Sequence, residues 1–389
     1  MIFTEFQDKS LSLLGFGAMR LPTQNSAIDE AQVKDMVRLA MEKGVNYFDT
    51  AWPYHGGTSE IVMGKVLREY PRESWYLANK YPGHQISSHY DPAAIFEAQL
   101  KKCGVDYFDF YLLHNVYENS MDVYLDPKWG ILDYFKEQKR LGRIKHLGFS
   151  SHGGVENLRA FLDVAGEDME FCQIQLNYLD WTLQSAREKV ALLNERNIPV
   201  WVMEPLRGGK LCSLNEAQTA LLGQDSNPIA WAFRFLQGVP GVQMILSGMS
   251  EFRQMEENIG LFEERKPLNE EENALLLSVA ESMKDSIPCT ACRYCTPHCP
   301  MGLDIPMLLA TYNELRYQPS TNSSMRVEFL PDEKKPSTCI GCGACAAICP
   351  QKIDIPGELQ GLVKKMETMP KWADICKERE EAARKLAGK

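Results

Sequence analysis

The sequence predicts an α/β protein, a closed (β/α)8 TIM barrel followed by a small and mainly α-helical domain. Two observations predict the barrel. Short apolar runs alternate with amphipathic stretches eight times between residues 13 and 262. The runs are apolar on both faces, as the strands of a covered parallel sheet are. A third observation separates the second domain: from residue 289 onward, closely spaced cysteines replace the alternation.

The alternating units contain about thirty residues each, which suits a strand, a helix and two short loops. A doubly wound sheet is the alternative, but Gly15–Arg20 lacks the third glycine of the fingerprint that such a sheet carries after its first strand. The strands are expected at Leu13–Met19, Val45–Ala51, Trp75–Tyr81, Phe108–Asn115, Ile144–His152, Phe171–Leu179, Pro199–Pro205 and Val242–Met249. The helices are expected at 29–43, 58–70, 91–104, 131–142, 155–166, 184–197, 228–238 and 251–262.

The alternation ends near residue 266, and this change sets the predicted domain boundaries. Residues 1–266 are expected to form the barrel, 267–286 a charged connecting helix, and 287–389 a second domain with a C-terminal helix. Within that domain, Cys299–Pro306 is echoed by Cys349–Pro356, and a stretch of helical period follows each. We therefore expect one supersecondary unit to be used twice.

The overall charge limits the classes of partner. A formal net charge of -10 and a pI near 5.4 argue against nucleic acid or an anionic membrane surface, because either requires a basic face. No apolar run is long enough to span a bilayer, and the first residues lack the apolar core of a leader peptide. A cytoplasmic location is therefore expected. Eight of the twelve cysteines lie three or four residues apart, which suits a metal centre in a reducing compartment better than disulfides.

The second domain contains two cysteine runs with the spacing C-x2-C-x2-C-x3-C-P. In this pattern three cysteines of a run bind one 4Fe-4S cluster and the fourth binds the other. A zinc site is the alternative, but it leaves the third and fourth cysteine of each run unexplained. The predicted ligand sets are Cys289, Cys292, Cys295 and Cys349 for the first cluster, and Cys339, Cys342, Cys345 and Cys299 for the second.

Residues 287 to about 360 thus resemble the two-cluster ferredoxins, and the helical stretch after each run makes them similar to the α-helical ferredoxins of respiratory enzymes. The resemblance implies two 4Fe-4S clusters and a ferredoxin-like domain. Four further cysteines fit neither run and are expected to be ordinary thiols: Cys103, Cys172, Cys212 and Cys376.

Polar side chains mark the carboxyl ends of barrel strands 2, 3 and 4, where a (β/α)8 barrel places its chemistry. They are Asp49, Tyr54, Lys80 and His114. Lys80, held by Asp49, is expected to lower the pKa of the Tyr54 hydroxyl, and His114 to polarise a carbonyl oxygen beside it. Each residue alone could be a cap or a solvated loop residue. Their conjunction predicts a site for reduction of a carbonyl group by a nicotinamide cofactor.

Residues 1 to about 265 resemble the aldo-keto reductases through Phe48–Ala51, Tyr54–Gly56, Ser59–Glu60 with Gly64, Asn79–Lys80 and Leu112–His114. The resemblance implies that Tyr54 is the general acid and that NADPH or NADH lies across the barrel. Ser150, Ser151 and Gln173 match the residues that contact the carboxamide, and Met203 stands where an aromatic ring usually stacks. Leu206, Arg207, Gly209 and Lys210 match the loop over the diphosphate. Ser247, Gly248, Arg253, Gln254, Glu257 and Asn258 match the segment that binds the adenosine end.

A nicotinamide delivers two electrons as hydride, whereas a 4Fe-4S cluster passes one, and this difference separates three hypotheses. In the first, the barrel reduces a small carbonyl compound or oxidises an alcohol, and the clusters are structural or transfer electrons to an external ferredoxin, flavodoxin or flavoprotein. In the second, a ferredoxin-linked reductase, the clusters feed single electrons to the barrel site. In the third, the chain is a non-catalytic electron carrier on a barrel scaffold. The four converging polar residues argue against the third hypothesis, and the first is preferred, with the second close behind.

Overall fold

The computed structural model describes residues 1–375 except residues 26, 86, 119, 224–225, 284–286, 290–292, 318, 320, 350 and 373. Eight parallel strands close into a barrel in chain order, and the eighth strand pairs with the first. This confirms the predicted barrel. The strands are Leu14–Gly17, Tyr47–Asp49, Tyr76–Tyr81, Phe108–Leu113, Ile144–Ser151, Cys172–Gln175, Val200–Met203 and Val242–Gly248, which we number 1 to 8.

Each strand lies within its predicted range, and strand 6 shows why the observed strands are shorter. It was expected to reach Leu179 but ends at Gln175. The side-chain oxygen of Asn177 accepts hydrogen bonds from the N–H groups of Leu179 (3.1 Å) and Asp180 (2.8 Å). This local turn competes with the sheet hydrogen bonds and begins the short helix Asp180–Leu183.

Helices alternate with the strands as predicted, and several shorter elements were not predicted. The predicted helices are observed at Glu30–Glu42, Ser59–Leu67, Pro92–Cys103, Ile131–Arg140, Val155–Ala165, Ala186–Glu195, Pro228–Gly238 and Phe252–Gly260, with Glu270–Ser282 after them. The unpredicted helices are Met121–Leu125, Asp180–Leu183 and Glu216–Leu222, and the unpredicted strand pairs are Phe3–Phe6 with Lys9–Ser12 and Thr23–Gln24 with Ala27–Ile28.

The N-terminal hairpin packs against the amino end of the barrel. Its turn inserts Phe6 among the aromatic rings of the core, 5.0 Å from Trp201 and 5.6 Å from Phe110 between ring centroids. Thr4 donates a hydrogen bond to the carbonyl of Gln243 at the start of strand 8 (2.7 Å). The hairpin therefore covers the end of the barrel opposite to its carboxyl-terminal mouth, where functional side chains are expected.

Glu170 joins this hairpin to the barrel. Its carboxylate accepts hydrogen bonds from Gln7 (2.8 Å) and the N–H of Leu147 (2.9 Å), and it pairs with Lys139 (2.8 Å) and His146 (3.2 Å). Burial alone would raise the pKa of Glu170, but these partners lower it to about 2. Because the folded-state pKa lies below the ordinary value, the stabilisation is present above about pH 4.5 and is lost as the pH falls through about 2.

We expect the Glu170→Gln variant to lose about 1 to 3 kcal/mol of the free energy of unfolding at pH 7. The difference from the unmodified protein should shrink as the pH falls toward 2, when the natural carboxylate becomes protonated too. Urea unfolding at a series of pH values measures the loss of unfolding free energy at pH 7 and its change with pH. Exposed Glu167 supplies the control, since Glu167→Gln should change the unfolding midpoint little at any pH. A difference between Glu170→Gln and the natural protein that stays constant with pH would contradict this account.

The chain divides into two compact units, one comprising Met1–Leu214 with Thr219–Leu277 and the other Asn215–Gln218 with the residues from Ser278 onward. The predicted boundaries at 266 and 287 remain a prediction. The second unit has its own apolar core, to which Leu308, Leu315, Leu359 and Leu362 contribute. Its helices are Ile305–Tyr317, Thr321–Glu328, Ala344–Ala347 and Ile355–Glu367.

The echoed segments of the second unit adopt matching conformations. Gly302 and Lys352 both have positive φ angles, 59° and 53°. Asp304 and Asp354 then each precede a helix, and their side chains accept N–H groups in its first turn, from Met307 at 3.4 Å and from Gly357 at 3.3 Å. The repeat in the sequence is therefore also a repeat in backbone structure.

Candidate active site

Lys80 is the centre of the polar cluster at the barrel mouth. The side chain belongs to strand 3 and is fully buried. Its ammonium group donates hydrogen bonds to Asp49 Oδ1, to the carbonyl of Thr50 (2.9 Å) and to the phenolic oxygen of Tyr54 (3.4 Å). Asp49 ends the neighbouring strand 2 and is buried as well. The buried cation is thereby paired and directed at Tyr54.

Tyr54 stands on a tight turn, Tyr54–Gly57, that follows strand 2. His55 and Gly56 both have positive φ angles in this turn, 51° and 63°. The turn is fixed at its start by the hydrogen bond from Tyr54 N–H to the carbonyl of Ala51 (3.1 Å). His55 Nε2 also accepts the N–H of Leu21 (3.1 Å), which attaches the turn to the segment after strand 1. Local strain of this kind is common where a side chain is held for function.

The electrostatic environment keeps Tyr54 protonated. Burial raises the pKa of Tyr54, and the nearby Lys80 opposes this effect without cancelling it. Lys80 lowers the pKa of Tyr54 as expected, but burial has the larger effect and the pKa remains above its ordinary value. Burial alone would lower the pKa of Lys80, but the interactions with Asp49 and Tyr54 raise it. At neutral pH the mouth thus contains a phenol next to an ammonium group.

His114 follows strand 4 and lies edge-on to Tyr54, with the ring centroids 6.0 Å apart. Its backbone is held by two hydrogen bonds, from its N–H to the Tyr81 carbonyl (3.0 Å) and from the Tyr124 hydroxyl to its carbonyl (2.6 Å). Burial, and after it the charge of Lys80, lowers the pKa of His114 well below its ordinary value. A neutral imidazole can donate a hydrogen bond to a carbonyl oxygen without adding a charge.

A buried hydrogen-bond network lies behind Lys80 and fixes its main chain. Asn79 Oδ1 accepts the N–H of Lys80 (2.8 Å), and Gln99 Nε2 donates to the Lys80 carbonyl (3.0 Å). Both amides also donate to Glu60 Oε1 at 2.9 Å, and Lys102 pairs with Glu60 Oε2 at 2.9 Å. Lys80 is therefore positioned by satisfied polar groups on both sides of its peptide.

The residues matched to a nicotinamide carboxamide lie side by side. Ser150 on strand 5 is directly opposite Gln173 on strand 6. The hydroxyl of Ser150 accepts the N–H of Asn115 (2.8 Å), whereas Ser151 donates to the carbonyl of Val116 (2.7 Å). Gln173 Oε1 is buried and has no hydrogen-bond partner among the described residues. An orphaned buried acceptor beside a serine hydroxyl fits a carboxamide, which supplies the missing donor.

The loop matched to the diphosphate lies after strand 7, which ends at half-buried Met203. Leu206 precedes the turn Arg207–Gly209, and Lys210 follows it. Arg207 is already engaged: its Nε lies 3.2 and 3.3 Å from the two carboxylate oxygens of buried Asp180. The predicted loop is thus at the mouth, but its arginine is oriented towards the protein.

The residues matched to the adenosine end lie at the end of strand 8 and on the helix Phe252–Gly260. Asn258 donates to the Ser247 hydroxyl (3.3 Å), and Gln254 accepts the N–H of Ser250 (2.8 Å). Gly248 ends the strand. Arg253 is 82% exposed and pairs with Glu257 (2.6 Å) on the same helix. These contacts order the segment, and Arg253 is directed along its own helix.

In the second unit, the structure brings together the four cysteines assigned to one cluster. Cys299, from the first run, lines one small cavity together with three cysteines of the second run, Cys339, Cys342 and Cys345. Within the described ranges no three ligating side chains converge closely enough for a single metal ion. Four thiolates are the donor set that a 4Fe-4S cluster takes, so the residues that line this cavity fit such a cluster.

The other ligand set is described only in part. Cys295 is buried in the core of the second unit, and Cys289 and Cys349 pack against the same core. Cys292 lies outside the described residues, as does Cys376 among the cysteines expected to be ordinary thiols. Cys103 and Cys172 are buried and Cys212 is half-buried.

The barrel presents a phenol, an ammonium group and an imidazole at its mouth, and these groups are typical of an oxidoreductase. The cysteine-lined cavity of the second unit is typical of an iron–sulfur domain. Residues 13–281 match the aldo/keto reductase family, and residues 288–353 match a 4Fe-4S dicluster domain. The chain therefore belongs to the aldo/keto reductase family and carries a 4Fe-4S domain after it. None of the helices in the described part of the chain has the length and apolar character needed to cross a membrane.

Three relatives illustrate this relationship. The chain is 27% identical to the NADH-specific methylglyoxal reductase of Escherichia coli over 224 residues, 52% of this chain and 66% of that protein. It is 28% identical to a probable aldo-keto reductase of Glycine max over 214 residues, 52% and 58% of the two chains. The holo form of an aldo-keto reductase from Bacillus halodurans superposes with a TM-score of 0.59 at 26% identity, covering 72% of this chain and 96% of that one. The matched stretch thus spans less than two thirds of the first two relatives.

Sequence reasoning missed three polar residues that the structure brings to the mouth. Arg20 ends the short turn after strand 1, and Asp180 lies shortly after strand 6. His84 follows strand 3, and its ring lies 4.4 Å from that of His114. The rule that polar residues after strand ends form the site also covers these positions. Arg20 and Asp180 lie outside the family motifs of those loops, so the motifs alone do not indicate them.

Proposed function

We propose that the barrel reduces the carbonyl group of a small molecule, or oxidises the corresponding alcohol, with NADPH or NADH as the cofactor. The contact between Lys80 and Tyr54 carries this proposal. A phenol that is protonated at neutral pH can give its proton to a carbonyl oxygen, and the ammonium group 3.4 Å away stabilises the phenolate that remains. Neutral His114 can donate a second hydrogen bond to the same oxygen.

A bound nicotinamide supplies hydride, and 4Fe-4S clusters carry single electrons. Ser150 and Gln173 would hold the carboxamide, because the buried acceptor of Gln173 lacks a partner among the described residues. The four cysteines around the cavity of the second unit would hold one cluster. The other would be held by Cys289, Cys292, Cys295 and Cys349. We propose that the clusters pass electrons to or from an external ferredoxin, flavodoxin or flavoprotein, in a cytoplasmic setting that keeps the thiols reduced.

Anaerobic kinetics with the complete, cluster-loaded chain test this function. The protein is mixed with NADH or NADPH and a panel of small aldehydes and ketones, and nicotinamide oxidation is followed together with the paramagnetic signal of reduced clusters. We expect turnover with at least one nicotinamide and one carbonyl compound. Turnover that requires dithionite-reduced clusters and ignores both nicotinamides would replace this proposal by the ferredoxin-linked reductase. Binding of neither nicotinamide and reduction of no carbonyl compound would favour the electron carrier.

A further inference from the structure

Arg20 is an exposed cation at the barrel mouth that the predicted site did not include. It ends the turn Ala18–Arg20, which directly follows strand 1. Within the part of the chain that the structure describes, no carboxylate lies within ion-pair distance of its guanidinium group. The chain carries a net charge of -10, which repels anions overall, so an arginine without an ion-pair partner at the mouth is a local exception that attracts one.

The main chain of Arg20 is fixed from two sides. Its carbonyl accepts a hydrogen bond from the hydroxyl of Ser250 (2.9 Å), in the loop after strand 8. The next residue, Leu21, donates its N–H to His55 of the Tyr54 turn (3.1 Å). The arginine is therefore held between the segment matched to the adenosine end and the turn that carries the phenol.

The side chain of Arg20 lies against two glycines from different loops. A Cβ added to Gly248 would lie 3.2 Å from both Cβ and Cδ of Arg20. A Cβ added to Gly208 would lie 3.1 Å from Nη2 of the guanidinium group, and Gly208 has a φ of 68° that favours glycine. The aliphatic part thus rests on the end of strand 8, and the charged end reaches the loop after strand 7.

Arg207, which with Lys210 was one of two cations expected to offset the charge of the diphosphate, is paired with Asp180. That carboxylate is fully buried and also accepts hydrogen bonds from Gln175 and Asn177, both at 2.7 Å. Withdrawing Arg207 from it would leave a buried anion without its cation, which is costly. Arg20 has no such commitment.

We propose that Arg20, rather than Arg207, binds the bridging diphosphate of the dinucleotide. This inference rests on the proposed use of a nicotinamide cofactor. Arginine suits the task because its planar fork can donate two hydrogen bonds to phosphate oxygens. Gly208 and Gly248 let the guanidinium group and a diphosphate come close to the backbone of both loops. Burial and the charge of Asp180 raise the pKa of the nearby Glu204, and the charges of Arg207, Arg20 and Lys210 each oppose that rise.

Equilibrium titration of the complete, cluster-loaded chain tests the assignment, with NADH, NADPH and ADP-ribose as separate ligands and heat of binding as the readout. We expect Arg20→Gln to weaken all three ligands about tenfold or more, and Arg20→Lys to recover part of the loss. Arg187→Gln is the matched control, since Arg187 is 63% exposed and pairs with the adjacent Glu188. It should leave all three affinities and the thermal midpoint unchanged.

The outcomes separate this inference from the proposed function. Tight binding by the natural protein with unchanged affinities in Arg20→Gln would overturn the role of Arg20 and leave the proposed function standing. A loss confined to NADPH would also overturn it, because it would locate Arg20 at the ribose phosphate and not at the diphosphate. No binding of any of the three ligands by the natural protein would overturn both.

Discussion

Replacing Tyr54 by phenylalanine is expected to lower the rate of carbonyl reduction about 100- to 10,000-fold, the range typical of losing a positioned general acid. The phenylalanine ring keeps the packing against His114 but removes the hydroxyl to which Lys80 donates. Nicotinamide affinity should change little, because Tyr54 is not among the residues matched to the cofactor. Steady-state rates and calorimetric titration separate the two quantities.

The dependence of this reaction on pH follows from the direction of the pKa shifts. Burial raises the pKa of Tyr54 above its ordinary value of 10.0, so the phenol stays protonated through neutral pH. The rate of reduction should therefore be flat near pH 7 and fall only in strongly alkaline solution, while alcohol oxidation should rise there. Because the pKa of His114 is lowered, mild acid should not remove reduction activity through that residue.

Tyr134→Phe is the matched control for the Tyr54 prediction. Tyr134 lies on the helix Ile131–Arg140 and packs against Phe96 and Phe135. Its substitution should leave both the rate and its dependence on pH as they are. Full activity in Tyr54→Phe would show that the proton comes from another group.

Replacing Cys299 by serine is expected to remove one of the two iron–sulfur clusters. If Cys299 binds the cluster of the second run, Cys299→Ser should reduce the iron content from about eight to about four atoms per chain. The cavity that Cys299 shares with Cys339, Cys342 and Cys345 is the structural basis. Iron and sulfide analysis with paramagnetic resonance gives the measurement, and Cys212→Ser, outside both runs, is the control.

A double variant distinguishes crossed from uncrossed ligand sets. Cys299→Ser combined with Cys342→Ser removes two ligands of the same cluster if the sets are crossed, so about four iron atoms should remain. The same double variant damages both clusters if each run serves its own. Cys299→Ser with Cys289→Ser should give the opposite result in each case. Loss of nearly all iron in the first double variant would be the finding against the crossed assignment.

The sequence predicted the barrel well because eight apolar runs of similar length and spacing admit few other folds. It was less successful where a local side chain decides the backbone, as at Asn177, which ends strand 6 early. The positions of Asp49, Lys80 and Tyr54 near one another follow from their places at adjacent strand ends. The sequence did not predict which arginine faces the mouth. That depends on the pairing of Arg207 with buried Asp180, and no periodicity in the sequence reveals this pairing.

The direction of the net pKa shift of Tyr54 also could not be predicted from the sequence. Pairing of Lys80 with Asp49 could be expected from residue types alone. Whether Lys80 or burial has the larger effect on the pKa of Tyr54 depends on how completely the phenol is enclosed, and that follows only from the three-dimensional structure. The same holds for His84, whose closeness to His114 is set by the loop after strand 3.

The matching turns of the second unit indicate how its internal repeat arose. Gly302 and Lys352, and likewise Asp304 and Asp354, are separated by the same 50 positions that separate the cysteines of the two runs. A constant offset means that no insertion has been retained between equivalent points of the two halves. The simplest origin is duplication of one ancestral segment. Lys352 adopts the same left-handed turn conformation as Gly302 although a side chain makes that conformation more strained, so the two halves share a backbone shape that their residue types do not reveal.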